Sequence, residues 1–510
     1  MPVEYEDEIR ILTTYKDTNN RRSQMAFGLF KKNEAADLIL INGTIRTLLI
    51  DDPEVQSLAV RDGKIVAMGD QEEIIADFED DQTELIDLEG GVVLPGFILM
   101  RENLVMDCFQ DLCYFIDESW DLETLKESLE QELKKRDHIF GYGYHPRVVS
   151  DLGPEEMRAV LDEVSSEKPL VLLSSGGFQV WLNSFALEQV KAVAEEEGVA
   201  QITLPYIVGV LELLDFERLQ ENIFEQAKHY CQEGVSSLFD LGTPDYFQSL
   251  YQEALVGFYQ EGFLKQRFYG SLLINREVDP NGLAQKLMQN RTLCAELEGF
   301  INFNLLHLLV KEDKEPGLGL SKDGLHEVVL AASERDFDLY VETLGPESLR
   351  QTLEVFDEVR GSGYRKNLLM LATEETITDE MRDEFISLDD IHVQAKEKGA
   401  PDKKKTMATY RDARSMEEYT DRMNIEAAIL LGEEDKLGAL DLGNYGDFAV
   451  FDGDPFQGKA NVVMTILGGQ VVYDQEEDKT SDWYKDYQKT HLGEDDLGDF
   501  EDMEDYEDEE

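Results

Sequence analysis

Hydrophobic positions along the chain fall into three textures. From residue 36 to 95 they come in short runs such as Leu38-Ile39-Leu40-Ile41, Leu58-Ala59-Val60 and Val92-Val93-Leu94, separated by Asn42-Gly43, Asp62-Gly63 and Glu89-Gly90-Gly91. Gly and Asn there supply the positive φ of tight turns, so the pattern predicts strands joined by hairpins and a small all-β unit. Between about 96 and 430, helix-like segments with apolar residues at spacings of three and four (Leu122 to Leu133, Phe216 to Gln232, Leu325 to Arg335) alternate with short apolar runs. Those runs are Leu170-Val171-Leu172-Leu173, Ser236-Ser237-Leu238-Phe239, Phe303-Asn304-Leu305-Leu306 and Leu339-Tyr340-Val341. Amphipathic helices alternating with buried strands over such a length predict a parallel α/β barrel, although an open doubly wound sheet satisfies the same periodicity. The β texture returns from about 437 to 474, with turns at Asp452-Gly453 and Gly468-Gly469.

These textures divide the chain into a polar extension over 1–34, a composite β-sandwich from 35–95 plus 437–475, an α/β barrel over 96–436, and an acidic tail over 476–510 expected to be disordered. The span after 372 is short, which leaves the barrel incomplete or closed in a different way. The stretch 394–414, with Lys403-Lys404-Lys405 and little apolar content, reads as a solvated loop rather than a basic binding patch.

Composition narrows the function classes. A chain of 510 residues exceeds what one core usually serves, and its 42% hydrophobic content suffices for a large domain with a satellite. The formal charge is −62, and Glu494 to Glu510 hold twelve acids and no base, leaving −50 on everything before them. The acidity is therefore global. Such a field repels phosphates and anionic membranes, which argues against nucleic-acid or membrane partners and is silent about the reaction. Cys108, Cys113, Cys231 and Cys294 are too few and too irregularly spaced for a disulfide framework or zinc knuckle, so they read as reduced core thiols. An acidic N-terminus without an apolar leader, and the lack of any apolar run of about 18 residues, lead us to expect a soluble cytoplasmic protein. An oligomer is compatible with all of this.

Three motifs carry more specific information. Ala36-Asp37-Leu38-Ile39-Leu40-Ile41-Asn42-Gly43 leads to Leu94-Pro95-Gly96-Phe97-Ile98, and near the other end stands Gly446-Asp447-Phe448-Ala449-Val450-Phe451-Asp452-Gly453-Asp454-Pro455. At these residues the chain resembles the amidohydrolase superfamily, specifically the amidohydrolase family 3 branch, from about 36 to 473. The resemblance implies a composite β-sandwich and a (β/α)8 barrel whose metal site hydrolyses amide-like bonds. It also implies a pair of histidines after Pro-Gly-Phe-Ile, where this chain has Leu99-Met100-Arg101-Glu102-Asn103. Further positions where the family carries histidine hold Phe178, before Trp181-Leu182-Asn183-Ser184, then Phe239, before Asp240-Leu241-Gly242, and Glu342. A guanidinium offers no lone pair and stays charged, so Arg101 would repel a cation.

The seven histidines form no local zinc pair, and neither a GxSxG elbow nor a phosphate-binding glycine pattern occurs. The resemblance puts His145, Glu212 and Asp240 among pocket residues. Each also has a plain structural reading: a hydrogen-bonded surface histidine, a loop acid, and a carboxylate that caps a helix or holds a turn. His307, inside an apolar run, reads as a buried and satisfied imidazole. The expected function is that of a metal-free, catalytically impaired amidohydrolase-like protein, with no cofactor, whose former pocket binds a small carboxylate-bearing ligand through Arg101. One alternative is an active hydrolase of non-peptide carbon–nitrogen bonds with a rearranged zinc or other divalent metal site. Another is an interaction protein whose acidic tail recruits basic partners or loosely holds calcium.

Overall fold

The computed structural model describes residues 34–478 except 176–178, 200–201, 245–246, 298, 313–318, 365, 386–387, 389–390, 396–414 and 459. The extension over 1–33, Phe178, the Lys403-Lys404-Lys405 run and all of the tail beyond Asp478 lie outside the described residues.

The two terminal β textures meet in one sheet. Its six strands run in the order Gln470–Asp474, Val462–Leu467, Phe448–Phe451, Val92–Pro95, Thr44–Arg46, Glu54–Val55, three from each end of the chain. The seam is antiparallel, with Val450 opposite Val93. A second sheet of Lys64–Gly69, Ser57–Arg61, Leu38–Ile41 and Glu84–Asp87 comes wholly from the N-terminal segment. Leu40, Leu58, Val60 and Ile65 of this sheet pack against Ile45, Val93, Phe448 and Ile466 of the other, the apolar filling expected of a sandwich. The N-terminal unit is not all-β: Gln71–Phe78 is a helix whose N-terminus is capped by the Asp70 carboxylate, and its Ile74 covers Ile39 and Ala59. The Asp-x-x-Glu signal of Asp70 and Glu73 was present in the sequence, but the surrounding aliphatic runs obscured it.

The central segment forms a seven-stranded sheet, wholly parallel and with neighbours in chain order: β1 (Phe97–Glu102), β2 (Val235–Pro244), β3 (Arg267–Ile274), β4 (Ile301–Val310), β5 (Asp338–Thr343), β6 (Leu369–Thr373) and β7 (His392–Ala395). Ile98, Phe239, Tyr269, Leu305, Tyr340 and Met370, one from each of β1 to β6, converge in a single cluster, so the sheet curls with this face inward. Helices α1 (Leu104–Leu112), α2 (Phe216–Gln232) and α3 (Gln248–Gln260) pack on the outer face through residues such as Phe109, Ile223 and Leu255. The architecture is a distorted TIM-like barrel with a β-sandwich beside it.

Two further expectations need correction. Leu170–Ser174 is not a barrel strand. It belongs to a separate sheet, ordered Val180–Leu182, Leu170–Ser174, Ile139–Tyr144, Tyr114–Phe115, inserted between β1 and β2, and its antiparallel partner Val180–Leu182 returns directly without a crossover helix. A short apolar run does not announce which neighbour it will pair with. In addition, the presumed loop from 394 begins inside β7.

Barrel and sandwich are joined by buried polar contacts. The Asp447 carboxylate accepts Arg267 Nε–H at 2.6 Å and Nη2–H at 2.9 Å, with only 1% and 3% of the two side chains exposed. The guanidinium lies 3.6 Å from the Tyr445 ring centroid and 4.5 Å from that of Phe300. Gly96, in the Pro-Gly-Phe-Ile motif, is required by close approach, since a Cβ there would fall 2.1 Å from Ser236 Oγ. Cys108, Cys113 and Cys231 are buried thiols and Cys294 is partly buried, with none of them in a disulfide. Among the described residues no helix is long and apolar enough to cross a membrane.

Candidate functional site

On β1, Ile98 and Met100 join the inner cluster while Phe97 and Leu99 pack outward. Strict alternation would then send Arg101 outward and Glu102 inward. The backbone prevents it: Arg101 has φ of 67°, the left-handed region that a non-glycine residue enters only under constraint. The reversal brings the guanidinium to the inner side, where Nη2 stands 3.5 Å from Glu342 Oε1 and the guanidinium carbon 5.9 Å from the Tyr340 ring centroid. Tyr340 and Glu342 sit two apart on β5 and therefore share a face. The Tyr340 hydroxyl donates to the same Oε1 at 3.3 Å. His307, on β4, adds Nε2 at 3.8 Å from that oxygen, while its Nδ1 lies 3.1 Å from the Leu241 carbonyl.

Two positions where the resemblance places metal ligands, Arg101 and Glu342, are thus brought together as an ion pair. A third, Phe239, is fully buried against Tyr340 with ring centroids 5.4 Å apart. Asn103 occupies the N-cap position of α1 without a side-chain bond to that helix. These residues do not fit a catalytic metal. Guanidinium and phenyl groups have no lone pair to give, which among the described residues of this group leaves His307 Nε2 and the Glu342 carboxylate as donors where zinc takes three or four, and the Arg101 cation stands beside them. Among the described residues, no three His, Cys, Asp or Glu side chains gather into a potential metal cluster.

Glu102 turns outward, where its carboxylate accepts the Tyr230 hydroxyl at 3.0 Å. Asp240, its neighbour across the β1–β2 pairing, is buried and faces α1 and α3. Its carboxylate accepts Leu104 N–H at 2.8 Å at the start of α1, Gly242 N–H at 2.8 Å, and the Tyr251 hydroxyl at 3.1 Å. Burial, with a smaller push from the Glu102 charge, raises its pKa to about 7 against the pull of those three donors. Asp240 therefore ties a helix start to a strand bend. That bend needs glycine: Gly242 has φ of 75°, and a Cβ there would meet the Ser271 carbonyl oxygen at 1.8 Å.

The remaining candidates are held locally. His145 Nδ1 accepts Arg147 N–H at 3.1 Å at the head of the short turn Pro146–Val149. Glu212 is exposed, with φ of 48°, just after the helix Leu204–Val210. Neither shares a hydrogen bond or ion pair with the Arg101 group. Sequence reasoning passed over Tyr340, although its place two residues before Glu342 was a usable signal. It took His307 for a satisfied core imidazole, whereas Nε2 is buried without a hydrogen-bond partner.

A sequence profile of the amidohydrolase family matches residues 392–473. The exoenzymes regulatory protein AepA of Pectobacterium carotovorum is 24% identical over 393 residues, spanning 66% of this chain and 80% of that protein. N-substituted formamide deformylase of Arthrobacter pascens is 27% identical over 165 residues, 30% of this chain and 29% of that enzyme. Among solved structures, an uncharacterized metal-dependent hydrolase from Pyrococcus horikoshii superposes with a TM-score of 0.50 at 17% identity, covering 83% of this chain and 98% of that one. At that identity the likeness speaks for the fold alone.

Proposed function

We propose that the chain is a member of the amidohydrolase family that works without a metal, as a catalytically impaired relative that holds a small carboxylate-bearing ligand at the inner face of the barrel. The observation that carries this proposal is the Arg101–Glu342 ion pair, formed by two side chains at positions where the resemblance calls for imidazoles. A metal would supply an activated water and a Lewis acid, worth several kcal/mol of transition-state stabilisation, and an arginine supplies neither. A guanidinium does supply fixed positive charge and a donor fork matched to carboxylates. Among the described residues Arg101 Nε is buried with no acceptor and the ion pair with Glu342 is long at 3.5 Å, which supports a role in taking an anionic oxygen.

The test has two parts. Elemental analysis of protein purified without chelator is expected to give less than about one zinc or iron per chain. Thermal-shift titration with propionate and 4-methylpentanoate is expected to stabilise the wild type and to leave Arg101→Ala unmoved. Stoichiometric metal together with hydrolysis of N-formyl or N-acyl amides would overturn the proposal in favour of a working carbon–nitrogen hydrolase.

A further inference from the structure

Asparagine followed by glycine is the pair most prone to lose its side-chain amide, because glycine has no Cβ to hinder attack by its own backbone nitrogen. The chain has two such pairs, Asn42-Gly43 and Asn281-Gly282. They are held in different ways. At the second, the Gly282 nitrogen, which would be the nucleophile, donates to the Asp279 carboxylate at 2.9 Å at the start of the helix Pro280–Ala295. At the first, the amide that would be attacked is held instead. Asn42 is exposed, its Nδ2–H donates to the Asp87 carboxylate at 2.8 Å, and its Oδ1 accepts Gln71 Nε2–H at 3.0 Å. The Gln71 Oε1 also accepts Asn42 N–H at 2.7 Å. Three hydrogen bonds of one residue therefore tie the turn after Leu38–Ile41 to the helix Gln71–Phe78 and to the strand Glu84–Asp87.

We infer that Asn42 is a site of spontaneous covalent modification, latched by Gln71 and Asp87, whose conversion to aspartate or isoaspartate unfastens the helix Gln71–Phe78 from the sandwich. The Gly43 nitrogen gives its proton to hydroxide or water and bonds to Asn42 Cγ, the Cγ–Nδ2 bond breaks, and Nδ2 leaves as ammonia. Water then opens the succinimide at either carbonyl. One water is consumed, one ammonia is released, and nothing is oxidised or reduced. The latch opposes the first step, since the amide must leave both its bonds before Cγ can turn toward Gly43. Backbone packing opposes it as well. Asn42 is fixed at φ of 59° with its carbonyl accepting Gly90 N–H at 2.7 Å, and a Cβ on Gly43 would lie 2.6 Å from Leu88 Cδ1 and 2.8 Å from the Gly91 carbonyl oxygen. The product cannot rebuild the latch. Aspartate sets a carboxylate where an amide donor met Asp87 at 2.8 Å, and like charges so close repel. Isoaspartate adds a backbone carbon where the chain is already pressed against Leu88 and Gly91.

Full-length protein held in warm, mildly alkaline buffer tests it, with peptide mapping by mass spectrometry following both Asn-Gly pairs. The samples are folded wild type, folded Gln71→Ala and urea-unfolded wild type. Asn42 is expected to convert at least about tenfold more slowly in the folded wild type than in the unfolded chain. Gln71→Ala is expected to speed Asn42 about fivefold while Asn281 keeps its rate. Equal folded and unfolded rates at Asn42, or no acceleration in Gln71→Ala, would overturn the latch. Equal acceleration at both pairs marks general loosening and counts against it too. Asn42→Asp supplies the product directly: hydrogen exchange of the backbone amides in Gln71–Phe78 is expected to rise about tenfold, and an unchanged rate overturns the unfastening. The wild-type comparison and Asn42→Asp decide by themselves if Gln71→Ala fails to fold.

Discussion

Asp447→Ala is the most informative single perturbation of the fold. The substitution removes two hydrogen bonds to Arg267, at 2.6 and 2.9 Å, together with the acceptor of Gly468 N–H at 2.7 Å. It leaves a guanidinium with 1% of its side chain exposed, supported among the described residues by the Gly299 carbonyl at 3.3 Å and the faces of Tyr445 and Phe300. Stranding one member of a buried pair costs about 3–5 kcal/mol, whereas replacing both members with well-packed apolar groups is often neutral. Part of the strong end of that range is offset here by the two aromatic faces, so we expect about 3 kcal/mol. Urea unfolding followed by tryptophan fluorescence measures it, with Arg267→Met and Arg267→Met/Asp447→Leu completing the set. If the stranded charge is the cause, the double variant is more stable than Asp447→Ala, and the effects are strongly non-additive. A single-variant loss below about 1 kcal/mol, or simple additivity across the set, refutes the reasoning.

Asp240 gives a pH signature. Its folded pKa of about 7 lies above the ordinary 3.8, so between those values the folded chain binds more protons than the unfolded one, and this group's contribution is present below 3.8 and lost as pH rises through 7. Stability of the wild type minus that of Asp240→Asn should therefore fall between pH 4 and 7, and a flat difference curve counts against the buried-carboxyl account. Asn183, from the Trp-x-Asn-Ser motif, donates to the Ser165 and Lys168 carbonyls at 2.8 Å each and accepts from Leu170 and Ala186 N–H, so Asn183→Ala should cost about 2–3 kcal/mol in thermal or chemical unfolding. Gly242→Ala combines a positive φ with a backbone clash and should cost more than about 3 kcal/mol, read as loss of soluble yield or of the unfolding midpoint.

The parts of the fold that local physics specifies were legible. Aliphatic runs punctuated by Asn-Gly and Asp-Gly marked the sandwich strands, and the run through Leu339 and Val341 marked β5, because side-chain period and turn chemistry are properties of a few adjacent residues. Pairing is not such a property, which is why Leu170–Ser174 went to the wrong sheet. At the site, the identity of Arg101 was readable and its direction was not, since inner placement depends on one left-handed residue at the end of β1. Asp240 shows the same divide: a carboxylate at a strand end was visible, but its partners at Leu104 and Tyr251 come from elements brought together only by the barrel. The lone pair of His307 escaped notice because a half-satisfied imidazole and a fully satisfied one look alike in a string of letters.

The sheet stitched from both chain ends has a consequence for biosynthesis. Val92–Pro95 leaves the ribosome about 350 residues ahead of its partner Phe448–Phe451, so a nascent chain carries an open aliphatic edge through most of its translation. The dense negative charge of the intervening polypeptide gives that waiting edge an electrostatic guard against neighbouring copies until the last strands arrive. Products terminated early would lack those strands and keep the edge exposed, a form that chaperones and proteases recognise.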